Sequence, residues 1–261
     1  MRNLVLALCL LFAFNVNAQN TSLIHDDHAQ LRKLGNFTSI KVSSAIDLYL
    51  TQAGNCQVAV SAANEEYRDK IVTVVEGGTL IIKMQDRDGW FNWKSWGNTK
   101  AKAYVSVKEL DALMASGATN VHLMNKLEVN KLKLKLAGAS DLKGDMKVGN
   151  LTIEVSGASD YKGQVEAKNM SIEASGASKV ELSGMVDDLS LEVSGASDAK
   201  LYNLIAKGAV VNASGASTAN INVSQLIKAE ASGASSINYK GQATVKEILN
   251  SGASKIKHRD Y

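Results

Sequence analysis

The sequence has no proline and only two cysteines in 261 residues. Proline removes a backbone donor and is excluded from central strands, so its absence favours a chain made mostly of continuous β-structure. Cys9 lies in the apolar segment that begins the chain, and Cys56 is the only cysteine after it. A framework of internal disulfides is therefore excluded, and we expect packing alone to hold the fold.

Aromatic residues and net charge are also low. Aromatic side chains make up 5% of the chain, and the formal net charge is +3. Such mild basicity predicts neither nucleic acid nor an anionic membrane as a partner. Arginine is absent from residues 111–257. This half of the chain thus lacks one of the side chains that active sites use to bind anionic groups.

The first residues have the pattern of a secretory signal peptide. Arg2 precedes an apolar run that is too short to span a bilayer, and Val16-Asn17-Ala18 supplies small residues for cleavage. No second apolar run follows. We predict a signal peptide over 1–18 and a chain without a transmembrane segment. Its expected location is the periplasm, the outer surface or the extracellular space of a bacterium.

Residues 19–36 are polar and are predicted to form a flexible leader. They contain His25-Asp26-Asp27-His28, whose side chains are able to bind metals. A flexible leader fixes no ligand geometry, so we expect neither a metal site nor a cofactor there. Residues 37–110 alternate apolar and polar side chains, as half-buried strands do, and Gly77-Gly78 indicates a hairpin. We predict a non-repeating β-rich part.

A tetrapeptide close to Ser-Gly-Ala-Ser occurs eight times after residue 110, at intervals of 18–21 residues. A fixed period near 19 is typical of a solenoid, in which each repeat buries its apolar face against its neighbours. Glycine permits the backbone angles of a tight corner. We therefore predict a structural role for the eight corner glycines, Gly117, Gly138, Gly157, Gly176, Gly195, Gly215, Gly233 and Gly252.

The residues beside each glycine indicate which side chains point inward. The fourth residue before and the fourth after it are mostly apolar, and polar positions alternate with them. Each coil thus has a strand, a corner, a second strand and a further turn. We predict an all-β fold, a β-solenoid of about eight coils over 111–257. It is expected to be continuous with 37–110 and to end in a polar tail over 258–261.

Two outward columns carry charge. Glu154, Glu173 and Glu192 would stack in successive coils. Such a column is able to bind divalent cations, or it is simply a solvated outer face. We favour the solvated face. Stacking would also place Lys179 between Asp160 and Asp198, where opposite charges attract.

All three tryptophans lie in residues 89–97, between two predicted strands. Exposed aromatic faces suit a surface glycan or a protein partner. An open solenoid end equally needs apolar cover, so we keep two hypotheses for this segment, recognition and capping. Its candidate binding residues are Trp90, Phe91, Trp93 and Trp96.

The chain resembles the bacterial head GIN domain family of auto-transporter adhesins over about 37–257. The resemblance rests on Phe37 to Leu48, on Gly78-Thr79-Leu80-Ile81-Ile82 and on the Ser-Gly-Ala series. It implies a single-stranded parallel β-helix, right-handed, similar to pectin-lyase-like folds but without their catalytic residues. It also implies adhesion at the cell surface. The chain shows no evident translocating barrel or sorting tail.

The expected function is a secreted, non-enzymatic β-solenoid that serves in adhesion or as a scaffold at the bacterial envelope. We predict no catalytic residues, because the carboxylates of the array fall in repeat columns rather than in one convergent group. Two alternatives remain. One is a β-helix enzyme acting on polysaccharides, a lyase or a hydrolase. The other is a periplasmic structural protein that self-associates through its aromatic loop; the sequence leaves the oligomeric state open.

Overall fold

The computed structural model describes residue 26 and residues 28–85 and 100–260. The predicted signal peptide and the aromatic segment 89–97 lie outside the described residues. Before the array, the described residues form seven strands and one short helix: β1 (Gln30–Arg32), β2 (Ser39–Val42), β3 (Asp47–Gln52), β4 (Gln57–Ser61), α1 (Glu65–Asp69), β5 (Ile71–Glu76), β6 (Thr79–Met84) and β7 (Lys102–Val107).

The array itself is built only of strands in the described residues. They are β8 (Ala112–Ala115), β9 (Asn120–Leu123), β10 (Leu127–Leu136), β11 (Asp141–Lys143), β12 (Met146–Val155), β13 (Asp160–Ala174), β14 (Lys179–Val193), β15 (Asp198–Ala213), β16 (Thr218–Ala231), β17 (Ser236–Lys240), β18 (Thr244–Asn250) and β19 (Lys255–His258).

These strands pair in parallel with the strands one coil away, so the β-solenoid fold is confirmed. Leu134, for example, pairs with Leu113 on one side and with Ile153 on the other. The apolar column that precedes the corners is buried from Leu113 to Ala229. Because each coil contributes its inward side chains to the same axis, the core runs continuously along the rod.

The two coils before the array are not stacked in chain order. β2 lies between β6 and β8, and β3 lies between β7 and β9. The coil formed by β2 and β3 is therefore inserted between the β6–β7 coil and the first coil of the array. This part of the chain is β-rich as predicted, but the spacing of its residues in the sequence did not indicate this stacking order.

The β2–β3 coil also has a corner of its own. Val42 pairs with Ala115, which aligns Ser43-Ser44-Ala45 with the corner that contains Gly117. Ser44 has a φ of +68°, within a degree of the +69° to +83° range of the eight corner glycines. Ser43–Ile46 thus forms a ninth corner, with serine at the glycine position. It differs from the other eight in that the next residue, Ala45, also has a positive φ, of +56°.

The N-terminal end of the rod is covered by antiparallel strands. β5 pairs with β6, β4 pairs with β7, and β1 pairs with β4. The flexible leader was expected to extend to residue 36, and for Gln30–Arg32 this expectation is wrong, because these residues join the edge of the sheet as β1. Their backbone groups gain ladder hydrogen bonds from β4.

The other end is less protected. β18 pairs with β16, and its seven residues are all exposed. The last described residues nevertheless contact the preceding coil. The His258 ring lies 5.0 Å from that of Tyr239, and the Arg259 guanidinium donates to Asn238 Oδ1 at 2.9 and 3.1 Å.

Candidate functional site

The side chains two residues after the corner glycines, seven serines and one threonine, form hydrogen bonds with backbone groups of the corners. The serine two residues after each corner glycine is buried, as is Thr119 in the first corner, except for the partly exposed Ser254 of the last coil. Ser217 Oγ donates to the carbonyl oxygen of Val193 at 3.0 Å, and Ser235 Oγ donates to that of Ala213 at 3.0 Å. Each of these carbonyl oxygens also accepts a backbone N–H, from Ser214 and from Ser232, at 2.9 Å. The hydroxyl therefore adds a second hydrogen bond to a ladder acceptor and is itself satisfied in the buried corner, which is a structural role.

The candidate binding residues Trp90, Phe91, Trp93 and Trp96 all lie outside the described residues. The strands on either side of them are described, and they form one coil of the solenoid. The connection from β6 to β7 runs from Gln85 to Ala101, whereas the equivalent connection from β2 to β3 is the four residues Ser43–Ile46. Relative to the four-residue corner between β2 and β3, the sequence between β6 and β7 thus contains an insertion, and this insertion includes the aromatic segment.

A row of three stacked rings crosses the outer surface of the first coils. The Tyr49 ring lies 5.2 Å from that of Tyr104 and 5.1 Å from that of His122, with interplanar angles of 22° and 18°. Each residue belongs to a different coil, and no sequence pattern pointed to them. Their proximity follows from the inserted β2–β3 coil, which places residue 49 between residues 104 and 122. Since the rings stack on one another, it is their edges that face solvent.

Asp26 lies at the end of this row. The Tyr104 hydroxyl donates to its carboxylate at 2.9 Å, and Lys102 Nζ lies at 3.5 Å. Burial opposes ionisation, but hydrogen bonds from Tyr104, Ser61 and the His28 backbone hold the pKa of Asp26 below its usual range. Burial and the bond to Asp26 raise the pKa of Tyr104. The Asp26 side chain therefore ties the chain to β7.

The glutamate column is only partly neutralised. Glu154 binds Lys133 at 2.7 Å and Lys135 at 2.9 Å, and hydrogen bonds from these two lysines lower its pKa. Glu173 and Glu192 are exposed, and neither has an ion pair with a described residue. Among the described residues, histidine, cysteine, aspartate and glutamate form no group of three that suits a metal ion.

Lys179 stacks between Asp160 and Asp198 as expected, but its ion pair is with Glu181 instead, at 3.1 Å. Glu181 also binds Lys162 at 2.7 Å. Hydrogen bonds from Lys162 and Lys179 lower the pKa of Glu181 to about 2. The pairing differs from the expectation because Glu181 is two residues further along the strand, on the same outward side as Lys179.

A shallow groove of about 830 Å³ follows the rod across several coils. Its most exposed apolar residues are Met185 and Ile205, which are register partners with 61% and 46% of their surface exposed. Ion pairs of 2.7 Å, Lys126–Glu166 and Lys207–Asp187, flank them. These two ion pairs thus neutralise part of the charge in the groove, whose lining also includes Glu109, Glu128, Lys147 and Lys168.

Structures of the same shape are known. The chain is similar in fold to a "putative lipid binding protein" from Parabacteroides distasonis, with 22% identity, a TM-score of 0.78 and coverage of 88% of this chain and 96% of that one. A "putative adhesin" from Parabacteroides merdae has 17% identity, a TM-score of 0.77 and coverage of 89% and 95%. Another "putative adhesin" from P. distasonis has 20% identity and a TM-score of 0.77, covering 88% and 96%.

No curated protein matches the chain. Within the described part, no helix has the length and hydropathy needed to cross a membrane. The family model described as "Putative auto-transporter adhesin, head GIN domain" matches residues 36–164 and 143–243, which together make up most of the chain. The chain therefore belongs to the head GIN domain family.

Proposed function

We propose that this protein is a non-enzymatic, adhesion-like module of the bacterial envelope, a rod that presents its aromatic segment to a surface glycan or protein. One observation carries the proposal. In all the remaining coils the corner is four residues long. Between β6 and β7 an insertion that holds all three tryptophans takes its place. Segments that bind partners are commonly loops held on a rigid scaffold.

The covered N-terminal end supports recognition over capping for this segment. β4 and β5 already occupy the ladder edges of the β6–β7 coil. Trp90, Trp93 and Trp96 are therefore not required to pair or cover those edges. Aromatic side chains that are free of that task are suited to stacking on sugar rings or to filling a partner's pocket.

The distribution of polar groups supports a role without catalysis. The corner serines bond to backbone carbonyls, and Glu166 and Asp187 in the groove are held in ion pairs with lysines. An enzyme acting on polysaccharides would need an acid and a base that converge on one point. Export is supported by the sequence of residues 1–18 and by the adhesin description of the family.

The decisive experiment compares three forms of the protein on a glycan array and on whole bacterial and host surfaces. They are the parent, a Trp90→Ala/Trp93→Ala/Trp96→Ala variant, and a Met185→Ala/Ile205→Ala control that removes the apolar groove residues. We expect the tryptophan variant to stay folded and lose binding, and the control to bind like the parent. Vesicles of bacterial lipids, in parallel, test whether the groove binds lipid instead.

Two results would overturn the proposal. Release of reducing or unsaturated sugar from an envelope or host polysaccharide would establish an enzyme. Aggregation or unfolding of the tryptophan variant would assign the segment to capping.

A further inference from the structure

One outward face of the rod is charged with opposite sign at its two ends. It consists of the outward side chains of the strand segments that lead into the corners, and we call it the lysine–glutamate face. Its central column, three residues before each corner, follows the strand register without interruption. From the N-terminal end it reads Ile81, Lys41, Met114, Lys135, Glu154, Glu173, Glu192, Asn212, Glu230 and Leu249.

In this central column the two signs are separated along the rod rather than mixed; in the neighbouring column Lys228 lies near the glutamate end, where it pairs with Glu247 at 3.0 Å. Lys133 and Lys135 neutralise Glu154 at the middle of the column. Lys41 on one side, and Glu173 and Glu192 on the other, are exposed and have no ion pair with a described residue. Lys41 and Glu192 lie five coils apart, or about 24 Å at the usual strand spacing. Neither reaches the other within one molecule.

From this pattern we infer that two copies of the chain associate through their lysine–glutamate faces, with the rods antiparallel. The two copies are related by a two-fold axis that lies between their facing sheets, parallel to the strands, at the level between β10 and β12. The order of the column in the second copy is therefore reversed along the rod. This reversal sets Lys41 of each copy opposite Glu192 of the other, and Lys135 opposite Glu154. Parallel rods would instead set Glu173 and Glu192 against their own copies, which like-charge repulsion disfavours.

The neighbouring column lets the two faces approach. Five residues before each corner, the side chains are small on both sides of the same axis: Thr79, Ser39, Ala112, then Thr152, Ser171 and Ser190 around the central Lys133. Sheets with such side chains pack face to face at about 10 Å. A lysine and a glutamate extended toward each other span that separation.

The face is large enough for a specific contact. Eight coils at about 4.8 Å and six residues at about 3.3 Å cover roughly 760 Å² per copy, or roughly 1,500 Å² in total, which is within the range of stable interfaces. A two-fold contact of this kind closes on itself and yields a dimer rather than a filament. The same pairing makes the association sensitive to salt.

Charge reversal tests this arrangement. Sedimentation equilibrium of the full chain at low salt gives the dimer dissociation constant of the parent and of Glu192→Lys, Lys41→Glu and the double variant. We expect each single reversal to weaken association about tenfold or more, because it places like charges opposite each other twice per dimer, and the double reversal to restore it. Circular dichroism establishes that each variant is folded.

Glu230→Lys is the matched control. Glu230 belongs to the same column, but in the antiparallel pair it faces Val74, beyond Ile81, so this variant is expected to associate like the parent. A parent that stays monomeric up to about 100 μM, far above the micromolar constants of ordinary specific contacts, would overturn the inference. A dimer unaffected by either single reversal, or single variants that the double does not rescue, would overturn it equally.

Discussion

Gly195 and Gly176 approach each other so closely in successive coils that a Cβ atom on Gly195 would lie 2.6 Å from the carbonyl oxygen of Gly176. The same oxygen accepts the backbone N–H of Ala196 at 2.7 Å. Glycine is thus required here for two reasons, the close backbone contact and a φ of +70°. The corner is a ladder of backbone groups in which a side chain has no space.

A substitution at this position is expected to destabilise the fold strongly. Gly195→Ala should lower the free energy of unfolding by about 2–4 kcal/mol, because backbone strain and the clash with Gly176 add. Gly54→Ala is the control, since a Cβ atom on Gly54 would meet nothing within 4 Å and its φ is not positive. Urea unfolding of both variants measures the difference. Equal stabilities would contradict the ladder of close contacts.

Ser44 offers the opposite change. Its φ of +68° matches that of the corner glycines and is unfavourable for a residue with a side chain. Ser44→Gly should therefore stabilise the protein by about 1 kcal/mol and raise the Tm by about 2–4 °C. Ser43→Gly, one residue earlier, lies outside the positive-φ position and should not stabilise. If Ser44→Gly lowers the Tm, the hydroxyl rather than the backbone determines this corner.

Relief of repulsion in the glutamate column is expected to stabilise the rod modestly. Glu173 stacks directly between Glu154 and Glu192. Glu173→Gln should raise the free energy of unfolding by about 0.2–0.5 kcal/mol, since like charges directly opposite in a sheet are unfavourable. Thermal scans at low and high salt check the cause, because screening should shrink the gain. A gain that does not change with salt would point to packing.

The Asp26 carboxylate is expected to make stability depend on pH. Its pKa in the folded protein lies below the ordinary value of 3.8. The contribution of Asp26 to the free energy of unfolding is therefore fully present when the pH is above that ordinary pKa. It is lost as the pH falls toward the pKa in the folded protein. Asp26→Asn should lower the Tm at pH 7, and the difference from the parent should shrink below about pH 4. Asp111→Asn, an exposed aspartate whose side chain has no described partner, serves as the control.

Prediction from the sequence was most accurate where local pattern and period decide the outcome. The apolar columns beside the corner glycines occupy the predicted inward positions, as Leu134 and Ile153 show. It was least accurate where distant segments meet. The pairing of β1 with β4 and of β3 with β9 joins residues far apart in the chain, such as Arg32 with Val58 and Leu48 with Val121. No local pattern encodes such partners.

The aromatic row illustrates the same limit. Tyr104, Tyr49 and His122 come from three separate strands without a shared motif. Only the inserted coil brings them within stacking distance. The ninth corner was also missed, because Ser44 replaces the glycine by which the other eight were recognised.

The amino-acid sequence by itself determined that the chain is a β-solenoid. A period near 19, alternating burial and a glycine at each corner are local requirements of one coil, and repetition makes them visible. The tertiary structure alone decided the stacking order of the first coils, the antiparallel cover of the N-terminal end and the place of Lys41 in the column that leads to the stacked glutamates. These depend on which coil lies beside which, and that is set by long-range strand pairing rather than by any residue's own preference.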